Sequence, residues 1–245
     1  MTNDMTQVLC ERGQDELSRM EYLAAETALA EAEEMAWKSR DFDAMARLYM
    51  PLQESRRQRR QRCGEGTIRL DFLANGPHDK LDGRRTVEAI GHGQILIAGW
   101  GSIQPGVEAR RAQRELGLYV DVFLAAVYPA GAGRVVAIVP GEGVALPTAE
   151  PMSVEELIRR LPAHSIVMSD AELPKGPGGT AETYAWVMAT WERLNAPFLA
   201  AAEATGDPIR RIEAYRQTIA VDYACELAHQ RISDTARKLC AKGTS

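Results

Sequence analysis

Sulfur, aromatic rings and long apolar runs are all sparse in this sequence, and each shortage excludes something. Four cysteines in 245 residues, at positions 10, 63, 225 and 240, form no CxxC pair. That spacing supplies no zinc framework and, without a secretory leader, no disulfide framework. The opening stretch MTNDMTQVLCERGQDELSRM is polar and acidic and lacks the apolar centre of a leader. No window reaches the roughly 18 apolar residues of a membrane span. A soluble protein of the reducing cytoplasm, with no membrane partner, is the expectation. A positive excess is missing too. The formal net charge is −5, which argues against a protein that coats nucleic acid and confines any anion site to a local patch. No cluster of side chains calls for a metal or cofactor, and none is expected.

What is present is ordinary for a globular chain: 45% hydrophobic and 26% charged residues. Aromatics supply only 6%, so the helical segments pack largely through alanine. The length suits one large domain or two small ones. Residues 15–40 read as one helix, with Ala25, Ala28, Leu29, Ala32, Met35 and Ala36 on one face at spacings of three and four. A second helix starts near Phe42 with Met45, Leu48, Tyr49 and Leu52 on its inner face. Pro51 predicts a kink or restart within it, and Gly64 and Gly66 end it.

The period then changes. TIRLDFL (67–73) alternates as a half-buried strand, and QILIAGWG (94–101) is a continuous apolar run of the kind covered on both faces. A helix follows with Pro105 in its first turn and Gly117 at its end. LYVDVFLAAVY (118–128) and RVVAIV (134–139) are further strands. SVEELIRRL opens with Ser153 and Glu156 at capping-box spacing, and HSIVMSD (164–170) closes the section as a strand. Beyond the loop ELPKGPGGT, Tyr184, Val187, Met188, Trp191, Leu194, Phe198 and Leu199 form the clearest amphipathic stripe in the chain. Asp207 and Pro208 start a last helix that reads on to about Leu239.

The predicted fold is α/β or α+β, a mostly buried central sheet with flanking helices, and N- and C-terminal helical hairpins that pack together. Its parts are an N-terminal hairpin (1–64), a central α/β section (65–171), a linker (172–180) and a C-terminal hairpin (181–245). From Gln94 the order β-α-β-β-α-β fits either a ferredoxin-like unit or a small three-layer sheet. SRDFDAMARLYMPLQ and TGDPIRRIEAYRQTI share an aspartate in the turn (Asp41, Asp207) and a tyrosine eight residues on (Tyr49, Tyr215). Both resemble the turn and second helix of a tetratricopeptide repeat, over residues 26–56 and 196–226. The resemblance implies helical hairpins that serve protein–protein interaction.

Several groups of residues could carry chemistry. RRQRRQR (56–62) puts five arginines into seven positions. The foremost reading is a solvated helix end, favourable beside the helix C-terminus. Pairing with the chain's own acids comes second, and an anionic ligand or nucleic acid third, with Arg59 the candidate contact for a ligand. AIGHGQILIAGWGSIQPG (89–106) runs from an apolar strand through Gly99, Gly101, Ser102 and Gln104 into a helix N-terminus, where backbone N–H groups and a hydroxyl can cradle an anion. This stretch resembles the first strand and loop of the sugar-isomerase (SIS) phosphosugar-binding domains. That resemblance implies a phosphate-bearing small molecule held at 99–104. In this reading Arg59 or Arg110 lies nearby, and His92, between two glycines just before the strand, is the acid–base candidate on grounds of access. Asp222, Glu226 and His229 share one helix face, and Glu-x-x-His is half of a di-iron signature. Solvated polar positions are the expectation there.

Two functions are therefore open. The first is an interaction or assembly protein in which the terminal helices meet a second copy or another protein. The alternative is an α/β protein that binds a phosphorylated small molecule, as an isomerase or a sugar-phosphate sensor. The reading leans toward the first and away from an enzyme.

Overall fold

The computed structural model describes residues 2–131 and 133–243. Among these the chain forms nine α-helices and five strands. In order they are α1 (Thr2–Ser18), α2 (Tyr22–Ser39), α3 (Phe42–Glu65), β1 (Thr67–Leu73), α4 (Gly83–Ile90), β2 (His92–Trp100), α5 (Gln104–Leu116), β3 (Tyr119–Ala130), β4 (Gly133–Ile138), α6 (Val154–Arg160), β5 (Ile166–Ser169), α7 (Ala181–Ala204), α8 (Pro208–Val221) and α9 (Glu226–Gly243). The fold is thus the expected α/β or α+β arrangement of helices flanking a sheet. Two compact units divide the chain: residues 1–60 with 195–245, and residues 61–194.

In the second unit, β1, β2 and β3 run parallel, and β4 and β5 return antiparallel, giving the order β1-β2-β3-β4-β5. Parallel neighbours need a crossover, and α4 and α5 supply the two. This order is not that of a ferredoxin-like unit; it is the three-layer alternative. On one face Ile95, Ile97, Val120 and Val122 pack with Val87 of α4 and Ala109 of α5. Leu124, Ala126 and Tyr128 continue that face beneath Leu157 of α6. On the other face the Phe123 ring stacks on Trp191 of α7, with ring centroids 4.3 Å apart, and meets Trp186 edge-on. The first half of α7 therefore belongs with the sheet, and the unit ends at Leu194 rather than at the 172–180 segment. That segment is a strap: Gly178 exchanges backbone hydrogen bonds with Ile68 (2.7 and 3.2 Å), and Gly176 N–H donates to Asp71 Oδ2 at 2.8 Å.

The first unit is helical. Leu29, Ala32, Ala36, Met45, Leu48, Tyr49 and Leu52 from the N-terminal segment share one core with Ala202, Ile212, Tyr215, Ala228 and Ile232 from the C-terminal segment. The two terminal hairpins do pack together. Both turn aspartates cap as their position suggests: Asp41 accepts from Ala44 N–H and Asp207 from Arg210 N–H.

Three helical boundaries differ from the sequence reading. Residues 15–40 break at Met20, which takes the left-handed conformation (φ 64°) and hydrogen-bonds back to Leu17. The α3 helix runs unbroken past Pro51. The last helix divides at Asp222, whose carboxylate turns back to accept from Ala224 N–H.

Candidate functional site

The arginine run has the most complete set of partners of the candidate groups. Helical spacing along α3 aims Arg56, Arg59 and Arg60 inward and leaves Arg57 and Arg62 at the surface. Arg57 pairs with Glu54 and Arg62 with Glu65, each one turn away. Arg56 Nε and Arg59 Nη1 reach the two oxygens of Glu26 on α2, at 3.1 and 2.8 Å. Arg60 Nη2 meets Asp222 at 2.9 Å with both side chains buried, and Asn195 Nδ2 donates to the other oxygen of Asp222 at 2.7 Å. The run is therefore paired internally rather than left as a solvated end, because the core stripe of α3 carries it inward.

Burial alone would raise the Glu26 carboxyl, but the Arg59 and Arg56 guanidiniums together outweigh it and hold it below the ordinary carboxylate value. His229, expected in solvent, is fully buried. Its Nδ1–H donates to the Cys225 carbonyl (2.9 Å), so Nε2 is the acceptor that faces Arg56 Nη1 at 3.1 Å. Burial, reinforced by that guanidinium, pushes the imidazole down to about 3. Beside it, Tyr49 donates its hydroxyl proton to Glu33 Oε1 (2.5 Å), and Arg216 clamps Glu33 from α8 through Nε (2.7 Å) and Nη2 (3.2 Å). Burial and the Glu33 carboxylate push the tyrosine well above its usual value. Burial likewise raises the Cys225 thiol to about 11. Asp222, Glu226 and His229 do not form a ligand set, and among the described residues no group of three His, Cys, Asp or Glu could hold a metal ion.

The sequence also singled out the turn after β2. Gly99, Ser102 and Gln104 do come together, lining a cleft of about 280 Å³ with Lys80 and Glu108. The cleft lies beyond the carboxyl end of β2, where open parallel sheets place ligands. Yet much of the cradle is used by the fold. Gly101 N–H donates to the Val127 carbonyl, Gly99 N–H to the Ser102 carbonyl, and Gln104 N–H to Ser102 Oγ. Gly101 sits at φ +59°, and a Cβ there would stand 2.7 Å from the Ala149 methyl. Turn geometry and close packing thus account for this glycine.

The remaining candidates lie elsewhere. His92 opens β2, at the opposite end of the strand from the turn, about 26 Å away at the usual rise; its Nε2 contacts the Arg62 carbonyl. Arg110 points to the Val122 carbonyl (3.0 and 2.9 Å) and lies 3.7 Å from Glu142. Arg59 is engaged by Glu26 in the helical unit.

Sequence reasoning missed Glu26 and Glu33 as the acids that receive the arginines. Their signal was their spacing: seven residues apart, they flank the buried Leu29 on an alanine-rich helix. Gln94 was missed as well. It is fully buried in β2, and neither Oε1 nor Nε2 has a hydrogen-bond partner among the described residues.

No protein-family model, curated protein or solved structure matches this chain. Among the described residues, no helix is long and apolar enough to cross a membrane.

Proposed function

We propose that the protein acts by binding, as an interaction or assembly protein whose helical hairpins meet a second copy of the chain. One observation carries this reading. On α1, Met5 and Val8 stand one turn apart and are 53% and 56% exposed, while Leu9 and Cys10 of the same helix enter the core. Apolar area left in water is worth roughly 25 cal/mol per Å² to a surface that covers it. The chemistry of the helical unit points the same way. Its buried imidazole, thiol and phenol are each shifted away from the neutral range where acid–base catalysis works. The turn aspartates and buried tyrosines of the two hairpins add the likeness to tetratricopeptide repeats, which serve protein interaction.

Light scattering tests the reading. The wild-type chain is expected to show an oligomeric mass that falls to that of one chain in the double variant Met5→Glu, Val8→Glu, with circular dichroism and unfolding midpoint unchanged. A wild-type mass of one chain across the accessible concentrations refutes assembly.

The second reading, a phosphorylated small molecule held at Gly99, Ser102 and Gln104, is favoured by the cleft there and by Lys80 on its wall. Two carboxylates on the same wall, Asp79 and Glu108, weigh against it. Thermal shift with sugar phosphates and nucleotides tests it, with Lys80→Ala and Ser102→Ala as controls. These variants suit the purpose better than a change at Gly101, where φ and Ala149 would destabilise the fold by themselves. No shift with any phosphate removes this reading.

A further inference from the structure

The helical unit holds a cleft of about 440 Å³ between α2, α3 and α8, within the range of small-molecule sites. Two guanidiniums line it, Arg56 and Arg216, and an accounting of their donors leaves some unused. Arg56 gives Nε to Glu26 and Nη1 to His229, and its Nη2 has no hydrogen-bond partner among the described residues. Arg216 gives Nε to Glu33 and Nη2 to Glu33 and Glu34, and its Nη1 likewise has none. A guanidinium carries five N–H groups and no acceptor, so both present donors to whatever enters the cleft.

The carboxylates nearby are not equivalent. Glu33 already accepts from Tyr49 and twice from Arg216, and Glu26 from two arginines. Glu213, on the exposed rim, has no hydrogen bond or ion pair among the described residues. The apolar side chains of Leu52, Ile219 and Ala220 line the same cleft.

We propose that this cleft binds a small zwitterion of the amino-acid class, its carboxylate on Arg56 and Arg216, its ammonium on Glu213, and its apolar body against Leu52 and Ile219. Opposite charges on the wall explain the choice. A plain carboxylate would meet the unused guanidinium donors but leave Glu213 without a partner, and a plain amine would meet Glu213 but leave those donors without an acceptor. Only a molecule with both groups satisfies both ends.

The site is separate from the exposed strip on α1, and its test does not depend on oligomeric state. Calorimetric titration of the full chain with leucine, 3-methylbutylamine and 4-methylpentanoate compares the zwitterion with the same body lacking one group. Valine, isoleucine, methionine and phenylalanine are run alongside to allow for other side chains. At least one amino acid is expected to bind tenfold or more tightly than its amine and acid counterparts. Glu213→Gln, an exposed and conservative change, is expected to lower that affinity about tenfold without moving the unfolding midpoint. Ala220→Trp, filling the cleft from its rim, is expected to abolish binding. The proposal is overturned if no amino acid binds at millimolar concentration. It is equally overturned if the acid binds as well as the amino acid and Glu213→Gln changes nothing, or if binding survives Ala220→Trp.

Discussion

Replacing Glu26 by glutamine removes one charge from the centre of the arginine pairing and keeps the shape of the side chain. The wild-type carboxylate accepts from Arg56 at 3.1 Å and Arg59 at 2.8 Å, and all three side chains are at most 14% exposed. Glutamine offers one acceptor oxygen and turns an NH₂ group, itself a donor, toward a guanidinium. Breaking a buried pair by removing one partner costs about 3–5 kcal/mol, whereas an exposed pair is worth about 0–1. Residual exposure puts this site at the lower end of the buried range, about 3 kcal/mol. Urea unfolding followed by circular dichroism at pH 7 should show a lower midpoint with unchanged slope. The melting temperature should fall by about 6–12 °C for a chain of this length. The pH dependence has a definite sign. Because the folded carboxyl is held below its ordinary value of 4.5, its stabilisation is complete above that pH and is lost as pH falls through the folded value. The gap between wild type and Glu26→Gln should therefore be widest at neutral pH and narrow below about pH 4.5. A variant within about 0.5 kcal/mol of wild type at pH 7 would show that the arginines do not depend on Glu26, and the reasoning fails.

His229 titrates near 6.5 in an unfolded chain and near 3 when folded, so the unfolded state binds more protons between those values. Stability should fall by up to about 1.4 kcal/mol per pH unit from pH 6.5 to 5, a slope that His229→Gln removes; a flat wild-type profile there contradicts the burial argument. Gln94→Leu exchanges two buried atoms without hydrogen-bond partners for hydrocarbon and should raise stability by about 1 kcal/mol; a lower unfolding midpoint would mean that the amide is satisfied. Gly83→Ala places a Cβ 2.0 Å from the Pro105 carbonyl oxygen and 2.7 Å from Ala109 N. Since α4 must then move from α5, a loss of about 1–3 kcal/mol is expected, and an unchanged melting curve excludes that close approach.

The first four strands were legible as apolar or alternating runs with glycine close by, β5 as a short apolar run after Pro162, and all their ends agree with the sequence reading to within a few residues. The caps at Ser153 and Asp207 were legible for the same local reason. The break at Met20 was not, since neither glycine nor proline marks it and methionine rarely takes positive φ. The short helix α4 was missed because its eight residues, GRRTVEAI, make barely two turns and bury only Gly83 and Val87. The fate of the arginines was half legible. Helical spacing sent Arg56, Arg59 and Arg60 inward, but their mates Glu26 and Asp222 lie about 30 and 160 positions away, a distance at which spacing carries no information. His229 sits beside Ala228 on a buried stripe, yet a histidine next to the exposed Glu226 reads as polar surface until the neighbouring helix is in place.

Alanine lines much of the helix contact in the helical unit, and the buried charge pairs complement it. Buried Ala25, Ala28, Ala32, Ala36, Ala44, Ala202, Ala228 and Ala236 make smooth helix faces, which fix the sliding register of one helix against another only weakly. Directional pairs supply what shape does not. Arg56 and Arg59 tie α3 to α2, Arg60 ties it to the α8–α9 corner at Asp222, and Arg216 ties α8 to α2. Sliding α3 by one turn, about 5.4 Å along the axis, would put Arg60 in the place of Arg56 or Arg56 in that of Arg60, and so leave either Asp222 or Glu26 without its arginines. Each buried charge so stranded costs several kcal/mol, more than smooth alanine contacts regain in the shifted register. An arginine run that looks made for an external anion thus holds the helices in one alignment, and of the run and its α8 counterpart Arg216 only the unused donors of Arg56 and Arg216 still face the cleft.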